Sequence, residues 1–349
     1  MRLRDWFIAS ILLTTACGGQ SASGASDAGT DGPPLSACAA HAQAYCAKQQ
    51  SCTSGASITR DWGDMSTCLA RQELSCSDGL GAPRTGQSTA LVEQCTAGMS
   101  SYSCADFLDN NLPATCNPAG PGAVGAPCTV NGQCSTGYCS GVRYATCGTC
   151  AAPPAAGSAC TTSNSAHDQA CIWNNKVTNV CEPYVSTGSA CGAFANPLCA
   201  SGLTCAGASS TTGVGGTCEP ALETPGTTCG SKNMGLGCDG SVGLWCIGHT
   251  GAPASCGSVA YAADGQPCGY VSGGVTECTR GTCYSSGGPY FTFTGATNTG
   301  VCKAYAADGA ACDTQTGPGC LSPARCVTTG GGGAGTCVVP TASVSASCH

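Results

Sequence analysis

The sequence is poor in the residues that fill protein cores. Leu, Ile, Val and Phe make up 43 of its 349 residues, or 12%. That is below the roughly 20% under which a chain ordinarily cannot close a hydrophobic core. Aromatic residues are 5% and charged residues 9%. So little charge excludes the charge-driven kind of disorder. Lys and Arg number 12 against 19 Asp and Glu, a net charge of −7. This leaves no clustered basic face for nucleic acid. There is no Asn-x-Ser/Thr acceptor, no Gly-x-Ser-x-Gly elbow and no His-Glu-x-x-His.

Cysteine is what the chain has in excess, with 34 residues, nearly one in ten. Such a density marks a disulfide scaffold, in which cross-links restrict the unfolded chain and stand in for missing apolar burial. A reducing cytosol would leave these thiols unpaired, so the chain is expected outside it. The N-terminal residues agree. "MRLRDWFIASILLTTAC" has Arg2 and Arg4, an apolar run from Trp6 to Leu13, and Cys17 directly after a small residue. The run is shorter than the about 20 residues that span a bilayer, and it reads as a signal-peptide core. Residues 1–17 are therefore expected to be a lipoprotein-type signal with Cys17 as the lipidated residue; an ordinary secretion signal is the alternative. Residues 18–36, rich in Gly, Ser, Ala and Asp, read as a disordered tether.

Residues 37–117 read as a helical domain with eight cysteines: Cys38, Cys46, Cys52, Cys68, Cys76, Cys95, Cys104 and Cys116. Helices are predicted in "CAAHAQAYCAKQQSC", "GDMSTCLARQELSC", "QSTALVEQCTAGM" and "SCADFLDNNL". Asp64 is the N-cap of the second, and Ser103 with Asp106 opens the fourth. An antiparallel hairpin turning near Arg60 sets Cys52 opposite Cys68 and Cys46 opposite Cys76. It predicts the bonds Cys52–Cys68 and Cys46–Cys76, with the other four cysteines tying later helices to the first.

After Cys116 the helical signal gives way to Gly, Pro, Ser and Thr, and a repeat appears. Residues 118–349 are expected to hold about six tandem units of short loops and β-hairpins, starting near 125, 157, 188, 226, 265 and 309. Each opens on a cysteine, usually with Gly three residues before it: Cys128, Cys160, Cys191, Cys229, Cys268 and Cys312, spaced 31 to 44 residues apart. The phrase "YAADGQPC" at 261–268 returns as "YAADGAAC" at 305–312. Its Asp-Gly reads as a turn at a seam between units, so Tyr184, Tyr261 and Tyr305 are expected to pack at the joints. Within a unit the pairing expected is first-to-third and second-to-fourth. That gives Cys191–Cys205, Cys199–Cys218, Cys229–Cys246, Cys238–Cys256, Cys268–Cys283, Cys278–Cys302, Cys312–Cys326 and Cys320–Cys337. The first unit has an extra cysteine in "CGTC" (Cys147, Cys150), and the second has only Cys160, Cys171 and Cys181, so a bridge between them would balance the count. Cys348 looks like the start of a truncated seventh unit and is the odd cysteine, free or bridging to a second chain.

Units such as "GSACGAFANPLCASGLTCAGASSTTGVGGTCEP" and "GAPCTVNGQCSTGYC" resemble the Dickkopf N-terminal type of cysteine-rich module. The layout as a whole is similar to cysteine-rich lipoproteins of myxobacteria. The resemblance implies an extracellular disulfide-bonded module of the kind used in binding, and it carries no catalytic residue.

Residue by residue, the chemistry points the same way. His41, His167, His249 and His349 are scattered, and Cys147 and Cys150 are the one close cysteine pair, so no zinc ligand set forms. "CGTC" lacks the βαβ context of a redox motif and reads as a structural disulfide element. Asp264 and Asp308 read as turn residues, with an acid role as the alternative. "PYFTFTG" (Tyr290–Gly295), Trp62, Trp173 and Trp245 read either as unit cores or as binding patches. The expectation is a small disulfide-rich protein without catalytic activity or cofactor. It would be anchored through Cys17 to the outer membrane of a bacterial envelope, facing outward, and would contact an extracellular protein or glycan. A secreted protease inhibitor or toxin-like effector is the alternative.

Overall fold

The computed structural model describes residues 36–142, 145–155, 169–171, 181–192, 198–208, 214–230, 236–248, 253–271, 274–284, 299–328 and 333–348. Cys17, the signal and most of the tether lie outside them, as do Trp173 and the Tyr290–Gly295 segment. The body from Leu35 to His349 is one compact unit. It is disulfide-rich throughout: helices come first, then small antiparallel sheets.

The helical domain has four helices, each started by a side-chain cap. Ser36 caps α1 (Ala37–Cys52) and so belongs to the fold rather than to the tether. Asp64 caps α2 (Met65–Gly81) by accepting from the Thr67 amide, Ser88 caps α3 (Thr89–Gly98), and Ser103 caps α4 (Cys104–Leu108). Each oxygen satisfies an amide that the helix itself leaves unpaired. The buried stripe of α1 is Cys38, Ala42, Cys46, Gln49 and Cys52, at intervals of three and four. Half-cystines thus occupy positions that a larger core would give to leucine.

The two rungs expected between α1 and α2 are corrected here. The bonds are Cys38–Cys76 and Cys46–Cys68, both symmetric about residue 57 rather than Arg60. The reason lies in the connection. Ser54 and Gly55 take positive φ, a π-type turn spans Ile58–Trp62, and Gly63 again has positive φ before α2 starts. The connection therefore belongs mostly to the α2 side. Ile58 and Trp62 turn inward against the Cys46–Cys68 bond. Cys52, left without a rung, bonds Cys104 and fastens α4, while Cys95–Cys116 ties down the chain beyond it.

The repeat units share one plan. Strands at the first, third and fourth cysteines form a three-stranded antiparallel sheet with the fourth in the centre. This is seen for Pro127–Cys128, Cys139–Ser140 and Gly148–Cys150, again for Ala190–Cys191, Leu203–Ala206 and Gly216–Pro220, and for Ala311–Asp313, Arg325–Thr328 and Ala334–Val338. The third and fourth cysteines are ladder partners: Cys139 with Cys150, Cys205 with Cys218, Cys246 with Cys256, Cys283 with Cys302, and Cys326 with Cys337. They are not bonded to each other. The third bonds back to the first and the fourth to the second, in the first unit (Cys128–Cys139, Cys134–Cys150) and in the third to sixth. Three of the four sulfurs of the two bonds lie within 4.8 Å of one another, and this pair of disulfides is the unit's interior.

The recurring Gly before each first cysteine has a specific task. Gly265 and Gly309 sit third in a turn at φ 75° and 77°, where an added Cβ meets no atom but the backbone is strained for any L-residue. The Gly265 amide donates to the Cys302 carbonyl, and the Cys302 amide returns a bond to Gln266. Gly309 and Cys337 repeat this, as do Gly125 with Cys150, Gly188 with Cys218, and Gly226 with Cys256. A few residues earlier, the chain pairs in parallel with the second cysteine of the same unit, at Gly122 and Cys134, Val185 and Cys199, Leu222 and Cys238, Ala262 and Cys278, and Ala306 and Cys320.

The units do not extend away as a string. The first, third, fifth and sixth lie against the helical domain. Gln133 Nε2 in the first unit donates to the Pro83 carbonyl, and Gly86 donates to Gly132. Ser201 in the third donates through its amide and hydroxyl to Asp109. In the fifth, the Arg280 amide donates to Thr59 and the Tyr261 hydroxyl to Ala56. Past the sixth unit the chain ends in a short helix, α5 (Ala342–Ala346), whose Ser345 shares a buried hydroxyl contact with Thr129 of the first unit. Cys348 bonds Cys147 there, across 201 residues.

Candidate functional site

Cys348 is therefore neither unpaired nor the start of a further unit. The physical reason is register: Cys150 is the fourth cysteine of the first unit, so Cys147 is surplus to it, and α5 carries Cys348 to that surplus thiol. The bridge expected between the first and second units is not made by Cys147. The two cysteines of "CGTC" thus belong to different bonds, Cys147–Cys348 and Cys134–Cys150. Cys17 and Cys160 lie outside the described residues, as do the side chains of Cys171 and Cys181.

The cysteine triads whose sulfurs come within 4.8 Å, such as Cys128 with Cys134 and Cys150, are made of disulfide sulfurs. Metals are held by thiolates, so these groupings are cores and not ligand sets.

The seam residues are occupied in holding the units. Arg71 of α2 pairs with both carboxylate oxygens of Asp308 at 2.7 and 2.9 Å and also donates to the carbonyls of Leu321 and Ser322. Asp264, at the same place in the other copy of the repeated phrase, accepts from the Ala304 amide at 2.7 Å. Tyr261 packs with Ile247, Val259 and Val275 between the fourth and fifth units. Tyr305 lies between Thr282 of the fifth unit and Gly319 of the sixth. Tyr184 is 38% exposed, beside Asp109 of the helical domain, so it is at a joint without being buried in it.

One titratable cluster sits where the fifth unit meets the π-type turn. Arg60 pairs with Asp61 at 2.9 Å. Burial raises the pKa of Glu277 above the ordinary carboxylate value, with Arg60 and a hydrogen bond from Trp245 opposing the shift. Burial likewise raises the Tyr261 phenol, and nearby Glu277 adds to it. Trp62 is buried and donates through Nε1 to Gln49 Oε1 at 3.1 Å. Trp62 and Trp245 thus serve packing and seams rather than an exposed patch.

The recessed space that no sequence signal marked lies between the α1–α2 hairpin and the first unit. It is a cavity of about 250 Å³ lined by His41, Gln72, Ser75, Thr85, Gln87 and Asn131 among others. Gly79 leaves room there for Gln87, whose Oε1 lies 2.4 Å from where a Cβ would stand. No carboxylate, ammonium or guanidinium lines the cavity among the described residues. Burial lowers the His41 pKa, which favours the neutral imidazole. The lining offers amides and hydroxyls that both donate and accept. It suits an uncharged hydrogen-bonding group. The cavity was missed in the sequence because its walls come from segments up to 96 residues apart (His41 to Gly137) and none carries a recognisable motif.

No protein-family model, no curated protein and no solved structure matches the chain.

Proposed function

We propose that the chain is a non-catalytic interaction protein of the cell surface. It is held on the outer face of a bacterial envelope by lipid on Cys17 and displays a disulfide-fixed body. The observation that carries this reading is the disulfide framework itself: fifteen bonds among the described residues, of which four tie the helical domain and two form the interior of each of the first and third to sixth units. Such a framework persists in oxidising surroundings and gives a rigid surface at little cost in ordering on binding. The uncharged cavity beside the first unit supports contact with a neutral polar group, as on a glycan or a peptide backbone. Labelled palmitate should enter the protein in its host, and Cys17→Ala should release it from membranes. Membrane association that survives Cys17→Ala, with no label incorporated, contradicts the anchor. Inhibition of a protease by the purified chain would favour the effector reading instead.

A further inference from the structure

The Cys147–Cys348 bond differs from every other described disulfide in two independent respects. The others close within the helical domain or within one unit, whereas this one joins the first unit to the segment after the sixth. Each of the others also has at least one buried cysteine, whereas Cys147 is exposed and Cys348 only half-buried. Exchange with an external thiol depends on access to the sulfur under attack. In the units the sulfurs lie against a second disulfide. At the closing bond neither residue is buried, whereas Cys104, the other exposed half-cystine among the described bonds, is joined to buried Cys52.

We propose that Cys147–Cys348 is a thiol–disulfide exchange site, a clasp that an external dithiol opens while the framework stays intact. A thiolate of the dithiol attacks the Cys147 sulfur, the bond to Cys348 breaks, and Cys348 leaves as a thiolate that takes up a proton. The second thiol of the reductant, deprotonated, attacks the mixed disulfide and releases Cys147 as a thiolate. Two electrons pass to the protein, giving two protein thiols, and the dithiol becomes a disulfide. An oxidised dithiol reverses the steps.

Opening has a defined structural consequence. The helix α5 has five residues, far too few to persist alone. Besides Cys348 it is held by the Thr129–Ser345 hydroxyl contact and by Ala342 against Gly81 of α2. Once the bond is cut, the segment after Val339, which itself packs on the core of the sixth unit, is free to leave, uncovering Thr129, which is fully buried in the closed form and adjoins the cavity wall at Val130.

The test is graded reduction of the full chain with dithiothreitol, after blocking any thiols already reactive, with alkylation and peptide mass spectrometry. The first species expected carries label at Cys147 and Cys348, formed about tenfold or more faster than any other. Prior labelling of another pair, or reduction of all bonds in one step, overturns the proposal. A Cys147→Ser, Cys348→Ser variant should keep the other bonds and show about tenfold faster proteolysis after Val339. Protection equal to the parent's would mean the bond clasps nothing. Should that variant fail to fold, the labelling order in the native chain decides alone.

Discussion

Arg71 and Asp308 stand 237 residues apart in the chain and form a two-pronged ion pair, with the same guanidinium bonded to the carbonyls of Leu321 and Ser322. This side chain of α2 helps to hold the sixth unit against the helical domain, where Leu321 also packs on the cluster of Cys46, Ile58, Trp62 and Cys68. Arg71 is 12% exposed and Asp308 41%, so the pair itself contributes little beyond about 1 kcal/mol. Arg71→Ala also deprives two carbonyls of their donor and should cost about 1–3 kcal/mol of local stability. Asp308→Ala should cost under about 1 kcal/mol. Hydrogen exchange in residues 308–328 measures the order, and equal effects would show that the carbonyl contacts carry nothing.

The repeated glycine gives the second prediction. Gly309→Ala adds a Cβ to open space but holds it at φ 77°. A left-handed L-residue costs about 1–2 kcal/mol. The Cys337 amide, which bonds into the turn at Ala310, should exchange about 5 to 30 times faster in the variant. Unchanged exchange would mean that the turn does not govern the central strand.

Half-buried Glu277 sets a dependence on pH. Its folded-state pKa is raised by burial above the ordinary 4.5. A raised acid binds its proton more tightly when folded, so its contribution is most favourable at low pH and declines as pH rises through that window. Glu277→Gln should therefore match or exceed the parent in melting temperature at pH 7, with the advantage shrinking toward pH 4.5. A variant markedly less stable at pH 7 would mean that attraction to Arg60 outweighs the cost of burial.

Trp62 and Gln49 make the fourth test. Both are buried, and the indole donates to the amide oxygen at 3.1 Å. Trp62→Phe leaves that oxygen without its indole donor and should lower stability by about 1–3 kcal/mol. Gln49→Leu with Trp62→Phe should recover part of the loss, and calorimetry of the parent and the two variants measures it.

Local signals were legible in the sequence where the cause is local. Asp64 and Ser103 cap helices because a short polar oxygen there meets the amide three residues on. The cysteine order within a unit is tied to its pairing because short antiparallel strands place the third and fourth cysteines side by side. The α1–α2 register was not legible. It turns on how many residues the 53–64 connection assigns to each helix, and a π-type turn shifts the centre from 60 to 57. Nor was the return of the units to the helical domain. Arg71, Asp109 and Ser345 carry no local mark of partners 92 to 237 residues away. Cys348 was misread because spacing from Cys337 imitates a unit start, while its partner is set by where α5 docks.

The account rests on units folded back on the helical domain and closed at their two ends. Peptide mapping of the unreduced chain by mass spectrometry tests it most directly. The account predicts a linked peptide pair containing Cys147 and Cys348, with Cys134 joined to Cys150. A Cys147–Cys150 link, or Cys348 recovered as a free thiol, would contradict it.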